Sequence, residues 1–167
     1  KRLNSLLLPI PYSNTTYEET ITDPLISRLS FAVLWHDPPK SRNTSTTPSK
    51  PRMVGAIRCK LLPGSPPSST PQTPQDLILY ISTIGVLSPF RHHGLATHLL
   101  DAALRAAVAL PSSLVERKQR VAAIRAHVWE ANEEGLAWYA KRGFKVVGRE
   151  EGYYQRLRPK GAVVVRR

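Results

Sequence analysis

The turn Val86-Leu-Ser-Pro-Phe-Arg-His-His-Gly-Leu-Ala-Thr97 leads from an apolar run into an amphipathic one and sets Gly94 where a helix should begin. A helix start presents backbone N–H groups without carbonyl partners and carries partial positive charge. The segment Arg91, His92, His93, Gly94, Leu95 and Ala96 therefore offers a ring of donors suited to a pyrophosphate. Glycine lets the backbone approach such a group closely. Taken alone, the same letters also describe an ordinary strand-to-helix turn in which Gly94 only relieves crowding. The pattern is not a Walker loop, which needs Gly-Lys followed by Ser or Thr, nor a three-glycine dinucleotide fingerprint. A metal at His92, His93 and His98 is excluded by spacing, since two ligands on one helix face sit about four residues apart, and a cation is disfavoured at a helix N-terminus.

The elements that must position this turn follow from periodicity. Runs at Arg28 to Trp35, Met53 to Leu62, Leu77 to Leu87, Val121 to Val128 and Phe144 to Gly148 read as strands. From Arg91 to Ala109 the period becomes helical, with Leu95, Leu99, Ala102, Ala103 and Ala106 spaced three and four apart and Pro111 beyond the end. A shorter helix is expected from Glu133 to Arg142, with Asn132 as its cap and Gly143 suited to its C-terminal turn. The order is a helix, three strands, a helix, a strand, a helix and one or two strands, an α/β (α+β) layer architecture. Two Pro/Ser/Thr-rich segments, at about 37–51 and 63–75, read as loop insertions lengthening the first two strand connections. At 167 residues the chain fits one domain.

Composition narrows the function classes. No apolar run approaches the roughly 18 residues of a membrane helix, so a soluble chain is expected. Cys59 is the single cysteine, which rules out an internal disulfide and a paired-cysteine zinc site and suits a reducing cytoplasmic or nuclear compartment. The formal net charge of +12 predicts attraction to polyanions such as phosphates or RNA, although a solvated basic surface accounts for it equally.

The segment Arg91-x-x-Gly94-x-Ala96 resembles the coenzyme A signature of the GCN5-related N-acetyltransferases. Within that superfamily the chain is similar to the catalytic subunits of NatE-type N-terminal acetyltransferases in four blocks: Arg2 to Ser13, Leu79 to Ala96, Ala126 to Phe144 and Gly152 to Leu157. The resemblance implies a mixed, mostly antiparallel, splayed β-sheet flanked by helices. Acetyl-coenzyme A would be wedged between the strand before Gly94 and the strand ending near His127. It also implies a further strand and half a helix before Lys1.

The resemblance assigns the base role to Tyr80 and His127, acting through an ordered water. Strand alternation agrees, placing Tyr80 and Ser82 on one face and Ile81 and Thr83 on the other. Backbone N–H groups of Ile84, Gly85 and Val86 would stabilise the charge developing on the carbonyl oxygen. The helix-start residues through Thr97 would hold the diphosphate, Asn132 and Tyr139 would touch the coenzyme, and Tyr139 would be the acid near its sulfur. Leu8, Pro9, Ile10 and Tyr12 on one loop, with Ser82 and with Tyr153 and Tyr154 on another, would form an apolar slot for a peptide's first residue. The family's preference is methionine followed by a hydrophobic residue, and relatives carry phenylalanine in place of Leu8 and methionine in place of Ser82. An α-amine, with a pKa near 7.7 to 8.0, is roughly one-tenth neutral at pH 7, whereas a lysine side chain is neutral in fewer than about one molecule in a thousand, so a modest base favours N-termini. Nascent-chain N-termini, the ribosome or an auxiliary subunit are the implied partners. Two alternatives share the same residues: a lysine or small-amine acetyltransferase, and a basic ribosome-binding module motivated by Arg117, Lys118, Arg120, Arg166 and Arg167.

Overall fold

The computed structural model describes residues 12–37, 50–64, 76–110 and 119–167. Leu8, Pro9, Ile10, Arg117, Lys118 and the interiors of both proposed insertions lie outside them. The elements run α1 (Asn14–Thr22), α2 (Pro24–Arg28), β1 (Phe31–Trp35), β2 (Arg52–Pro63), β3 (Leu77–Val86), a 3₁₀ turn (Ser88–Phe90), α3 (Leu95–Val108), β4 (Val121–Trp129), α4 (Glu133–Ala140), β5 (Lys145–Glu150) and β6 (Ala162–Arg166). Pro24 ends α1 and opens α2, and the Asp23 carboxylate accepts from the amides of Leu25 and Ile26 at 2.8 and 3.0 Å, capping the second helix.

The strands form one six-stranded sheet in the order β1-β2-β3-β4-β6-β5. All its pairings are antiparallel except β3 with β4. That parallel pairing is short, covering Leu77 to Ile81 against Val121 to Ala126. Past it, β3 stays with β2 as far as Val86, while β4 stays with β6 as far as Trp129. The two central strands therefore part at Ile81 and Ala126, leaving a gap in the middle of the sheet.

The first strand begins at Phe31, because Arg28 belongs to α2, and the short helix ends at Ala140; three further differences from the sequence expectation bear on the site. The long helix begins at Leu95, not Arg91: Gly94 adopts φ +75° and His92 φ +64°, so Arg91 to Gly94 form a coiled lead-in that helical geometry excludes. Its buried side is Leu99, Leu100, Ala103 and Ala107, a stripe turned slightly from the expected one because α3 packs across β1, β2 and β3. On β3, Arg58 pairs with Thr83 but Cys59 with Ile81, so Ser82 is an extra, bulged residue and strict alternation fails there.

Leu29, Ile57, Cys59, Leu79 and Leu100 are fully buried at the heart of the core, each aliphatic side chain contributing about 1.5–3 kcal/mol by leaving water. On the buried side of α4, Tyr139 makes edge contacts with Trp138 of the same helix and with Phe144 just after it, at centroid distances of 5.0 Å. This packing fixes the helix that flanks one side of the gap.

Candidate active site

Where β3 and β4 part, four aromatic side chains meet. The Tyr80 hydroxyl lies 3.1 Å from His127 Nδ1 and 2.9 Å from the Tyr153 hydroxyl. The His127 ring stacks on Tyr153, centroids 4.3 Å apart and planes within 4°, and Tyr153 meets Tyr154 edge-on. The Tyr154 hydroxyl donates to the His127 carbonyl at 3.2 Å. Tyr153 and Tyr154 arrive on the loop between β5 and β6, which turns at Gly152 (φ +70°) and is tied back by Tyr154 N–H donating to Lys160 O at 2.8 Å. Tyr80 and His127 are thus in direct hydrogen-bond contact.

Protonation states follow from surroundings. Burial pushes the Tyr80 phenol far above its ordinary value of 10.0, so Tyr80 is a neutral hydroxyl. Burial lowers the His127 imidazole below 6.5 despite the opposing pull of Glu150, and the nearby Arg125 charge lowers it further, so His127 is neutral at pH 7. Glu150 Oε2 stands 2.9 Å from His127 Nε2. A carboxylate only accepts, so Nε2 carries the proton and Nδ1 is free to accept from the Tyr80 hydroxyl. Tyr153 then donates to Tyr80. The group thus has a definite proton direction, from Tyr80 toward His127.

The coenzyme-side residues lie along the neighbouring edge. Leu87 N–H donates to Val54 O on β2, and alternation along an extended strand turns the Gly85 amide the same way, leaving those of Ile84 and Val86 directed to the gap. At α3, the N-cap is Gly94, which has no side-chain oxygen, and the first intrahelical bond is His98 N–H to Gly94 O at 3.0 Å. The amides of Leu95, Ala96 and Thr97 precede that bond and have no carbonyl of their own helix to meet. Arg91 flanks them, its Nε donating to Val86 O at 3.2 Å and its Nη1 facing Glu134 at 3.4 Å. His93 Nδ1 binds Arg91 O at 2.7 Å. An uncapped helix start beside a guanidinium fits an anionic diphosphate.

Asn132 caps α4, its Oδ1 accepting from Gly135 N–H at 3.0 Å. Tyr139 is only 6% exposed and belongs to the hydrophobic core, with burial raising its phenol well above 10.0. The buried Cys59 thiol is pushed up to about 12 by desolvation, which removes it as a nucleophile at neutral pH.

On the opposite side, the Tyr12 hydroxyl donates to Ser82 O at 2.8 Å, joining the segment before α1 to the bulge of β3. Sequence reasoning missed what holds this side together. Arg58, 9% exposed, donates to Thr20 Oγ1 at 2.8 Å, to Glu19 Oε2 at 2.9 Å and to Ser82 Oγ at 3.2 Å, riveting α1 to β2 and β3. It also missed Glu150, and Arg142, whose guanidinium lies 4.0 Å over the Trp138 ring and donates to Thr97 Oγ1 at 3.2 Å. Glu150 sits in a charged Arg-Glu-Glu run with nothing in its letters to set it apart. Arg142 lies at i+4 from Trp138, a spacing that does bring helical neighbours together.

Among the described residues no cluster of His, Cys, Asp or Glu could hold a metal ion, and no helix is long and apolar enough to cross a membrane. A family model described as acetyltransferase (GNAT) family matches residues 11–144. Over all 167 residues the chain is 25% identical to N-alpha-acetyltransferase 50 of Danio rerio, covering 79% of that protein. It is also 25% identical to the probable N-acetyltransferase san of Drosophila melanogaster, covering 72% of it. A solved structure of Arabidopsis thaliana Naa50, in complex with the bisubstrate analogue CoA-Ac-MVNAL, shares the fold with a TM-score of 0.67 at 24% identity, across 100% of this chain and 88% of that one. With most of its length matched by that model and a sheet that splays at its centre, the chain belongs to the GNAT acetyltransferase family.

Proposed function

We propose that this chain transfers the acetyl group of acetyl-coenzyme A to the N-terminal α-amine of polypeptides. The observation that carries the reading is the Tyr80–His127 hydrogen bond at the parting of β3 and β4, closed over by Tyr153. The similarity to N-alpha-acetyltransferase 50 supports the same choice of amine.

When bound, acetyl-coenzyme A supplies an acetyl thioester, an electrophilic carbon. The amides of Leu95, Ala96 and Thr97, with Arg91, His92, His93 and Gly94 around them, hold its diphosphate. The gap-facing amides of Ile84 and Val86, with Gly85 between them, donate toward the acyl oxygen. Asn132 and Tyr139 border the same coenzyme on the α4 side. The incoming amine lies against the Tyr80 hydroxyl. Because that phenol is neutral, Tyr80 works as a relay: it takes the amine's proton as it gives its own to Nδ1 of His127, while the C–N bond would form as the thioester C–S bond breaks and coenzyme A would leave as a thiolate that takes a proton from water.

The peptide's first side chain rests among Tyr12, Tyr153 and Tyr154, with Ser82 at the inner wall, and the resemblance would add Leu8, Pro9 and Ile10 to them. This apolar lining supports methionine followed by a hydrophobic residue. An apolar slot contributes about 1–3 kcal/mol of discrimination per methylene, so the preference is graded. Newly made or free chain ends in the cytoplasm or nucleus are the natural substrates, and the +12 charge suits work beside a ribosome or an auxiliary subunit.

The test is a panel of short peptides varying in their first two residues, each made with a free and with a blocked α-amine and with one internal lysine, scored by mass spectrometry. Acetylation confined to free-amine peptides, fastest for Met-Leu, is expected. Equal modification of the blocked peptides at lysine would replace this reading with lysine acetylation.

A further inference from the structure

The proton direction just described depends on a residue that the proposed chemistry does not otherwise use. Resting on that functional reading, we infer that Glu150 is a positioning residue for His127: its carboxylate holds the imidazole in the Nε2–H tautomer, keeps Nδ1 bare toward Tyr80, and balances the charge formed when Nδ1 takes the proton.

The geometry is that of a carboxylate–imidazole–hydroxyl chain. Glu150 Oε2 to His127 Nε2 is 2.9 Å, and His127 Nδ1 to the Tyr80 hydroxyl is 3.1 Å, so both ring nitrogens are engaged, one on each side. The His127 side chain is 6% exposed, and its ring is sandwiched against Tyr153. Such a ring cannot recruit bulk water to fix its tautomer; a neighbour must do so. The groups that face it are few: the Tyr80 hydroxyl from β3, the Tyr153 and Tyr154 rings from the β5–β6 loop, Arg125 two residues back on β4, and Glu150 from β5. Across β6 its partner is Val164, which carries no charge. Among these, Glu150 supplies the anion.

The register explains how a carboxylate comes to be there. Across β6, His127 pairs with Val164 and Val164 with Gly148, while Glu150 pairs with Ala162 two residues along, so Glu150 shares the face of His127 one row away, and the Gly148 directly across from the His127 row has no side chain to stand between them. The β5 register slips between Val146 and Gly148, and that slip sets which later side chains share the face of His127. In the working cycle the amine's proton replaces the one Tyr80 hands to Nδ1. Nε2–H stays on the ring against Glu150, and the Nδ1 proton leaves to water when the site opens. An uncharged partner would neither select this tautomer as firmly nor favour the imidazolium.

The experiment compares the full chain with Glu150→Gln and Glu150→Asp by ¹⁵N imidazole NMR titration, alongside acetylation of a Met-Leu peptide. Glu150 is half exposed, so neither change removes a core contact. The expected parent signature is a bare Nδ1 and a protonated Nε2. In Glu150→Gln the His127 midpoint falls further, the Nδ1–H form gains population, and kcat drops about tenfold or more with peptide KM unchanged. Glu150→Asp, which keeps the charge, recovers much of the loss. An unchanged tautomer and midpoint in Glu150→Gln would overturn the assignment. A parent with the expected imidazole signature that leaves α-amines unmodified would instead overturn the functional reading while supporting Glu150's hold on the ring.

Discussion

At the scale of single residues, the account turns on which groups hold protons near pH 7. Tyr80 is raised by burial and His127 is lowered by burial, so one is a neutral donor and the other a neutral acceptor. The sign for activity follows directly. Proton uptake needs neutral imidazole, which persists down to the folded-state pKa of His127, and that value lies below 6.5. With acetyl-coenzyme A and peptide both saturating, kcat is expected to hold through pH 6.5 and to fall only at lower pH. A pH series of kcat with peptides whose α-amines differ in pKa checks this: an acid limb above 6.5 that stays fixed across the peptides would contradict the burial argument, whereas one that moves with the amine belongs to the substrate. Tyr80 and Ser82 could be named as a pair from the letters, but their geometry could not. The bulge at Ser82 arises from pairing with β2, a long-range match that no local period encodes. Glu150 was illegible for the same reason: its role exists only because β6 slots between β4 and β5.

At the scale of elements, the start of α3 was the most legible feature and its boundary the least accurate. Arg91 to Ala96 read as a phosphate-gripping turn, yet the helix itself begins only at Leu95, after two residues with positive φ. A Cβ at Gly94 would meet nothing closer than the His98 ring at 3.9 Å, so crowding is not the issue. The cost of Gly94→Ala is conformational, about 1–2 kcal/mol for an alanine held in the left-handed region. That substitution is expected to lower Tm by a few degrees and to weaken coenzyme A binding about tenfold, as the first-turn amides lose their alignment. Gly148→Ala is the control: no atom lies within 4 Å of its added Cβ and its φ is not positive, so binding should be unchanged. Isothermal titration of both variants decides the matter. The strand β6 was harder to read. Its Ala162 to Val165 are all buried because β6 lies between β4 and β5, so no alternation marks it.

At the scale of the whole molecule, the sheet is two halves that share only the short parallel pairing of β3 with β4. A ligand held along both edges of the gap would join the halves where backbone pairing has ended. Saturation at about a hundred times Kd would add roughly 2.7 kcal/mol, which for a chain of this size is a rise in Tm of about 5–10 °C. Acetyl-coenzyme A is expected to produce that rise in thermal unfolding, and no rise would remove the coenzyme from the account. The alternation of strands and helices made the layer architecture legible from the letters. The parting of the central strands was implied only through the resemblance, because it depends on where pairing stops and not on what either strand is made of.

The most direct measurement is the turnover of a free-amine Met-Leu peptide by the unaltered chain, by Tyr80→Phe and by His127→Ala, with the acetyl-coenzyme A shift in Tm recorded on the same samples. The account predicts that each substitution lowers kcat by roughly 10²–10⁴-fold while the shift persists. Unchanged turnover in both variants would contradict it.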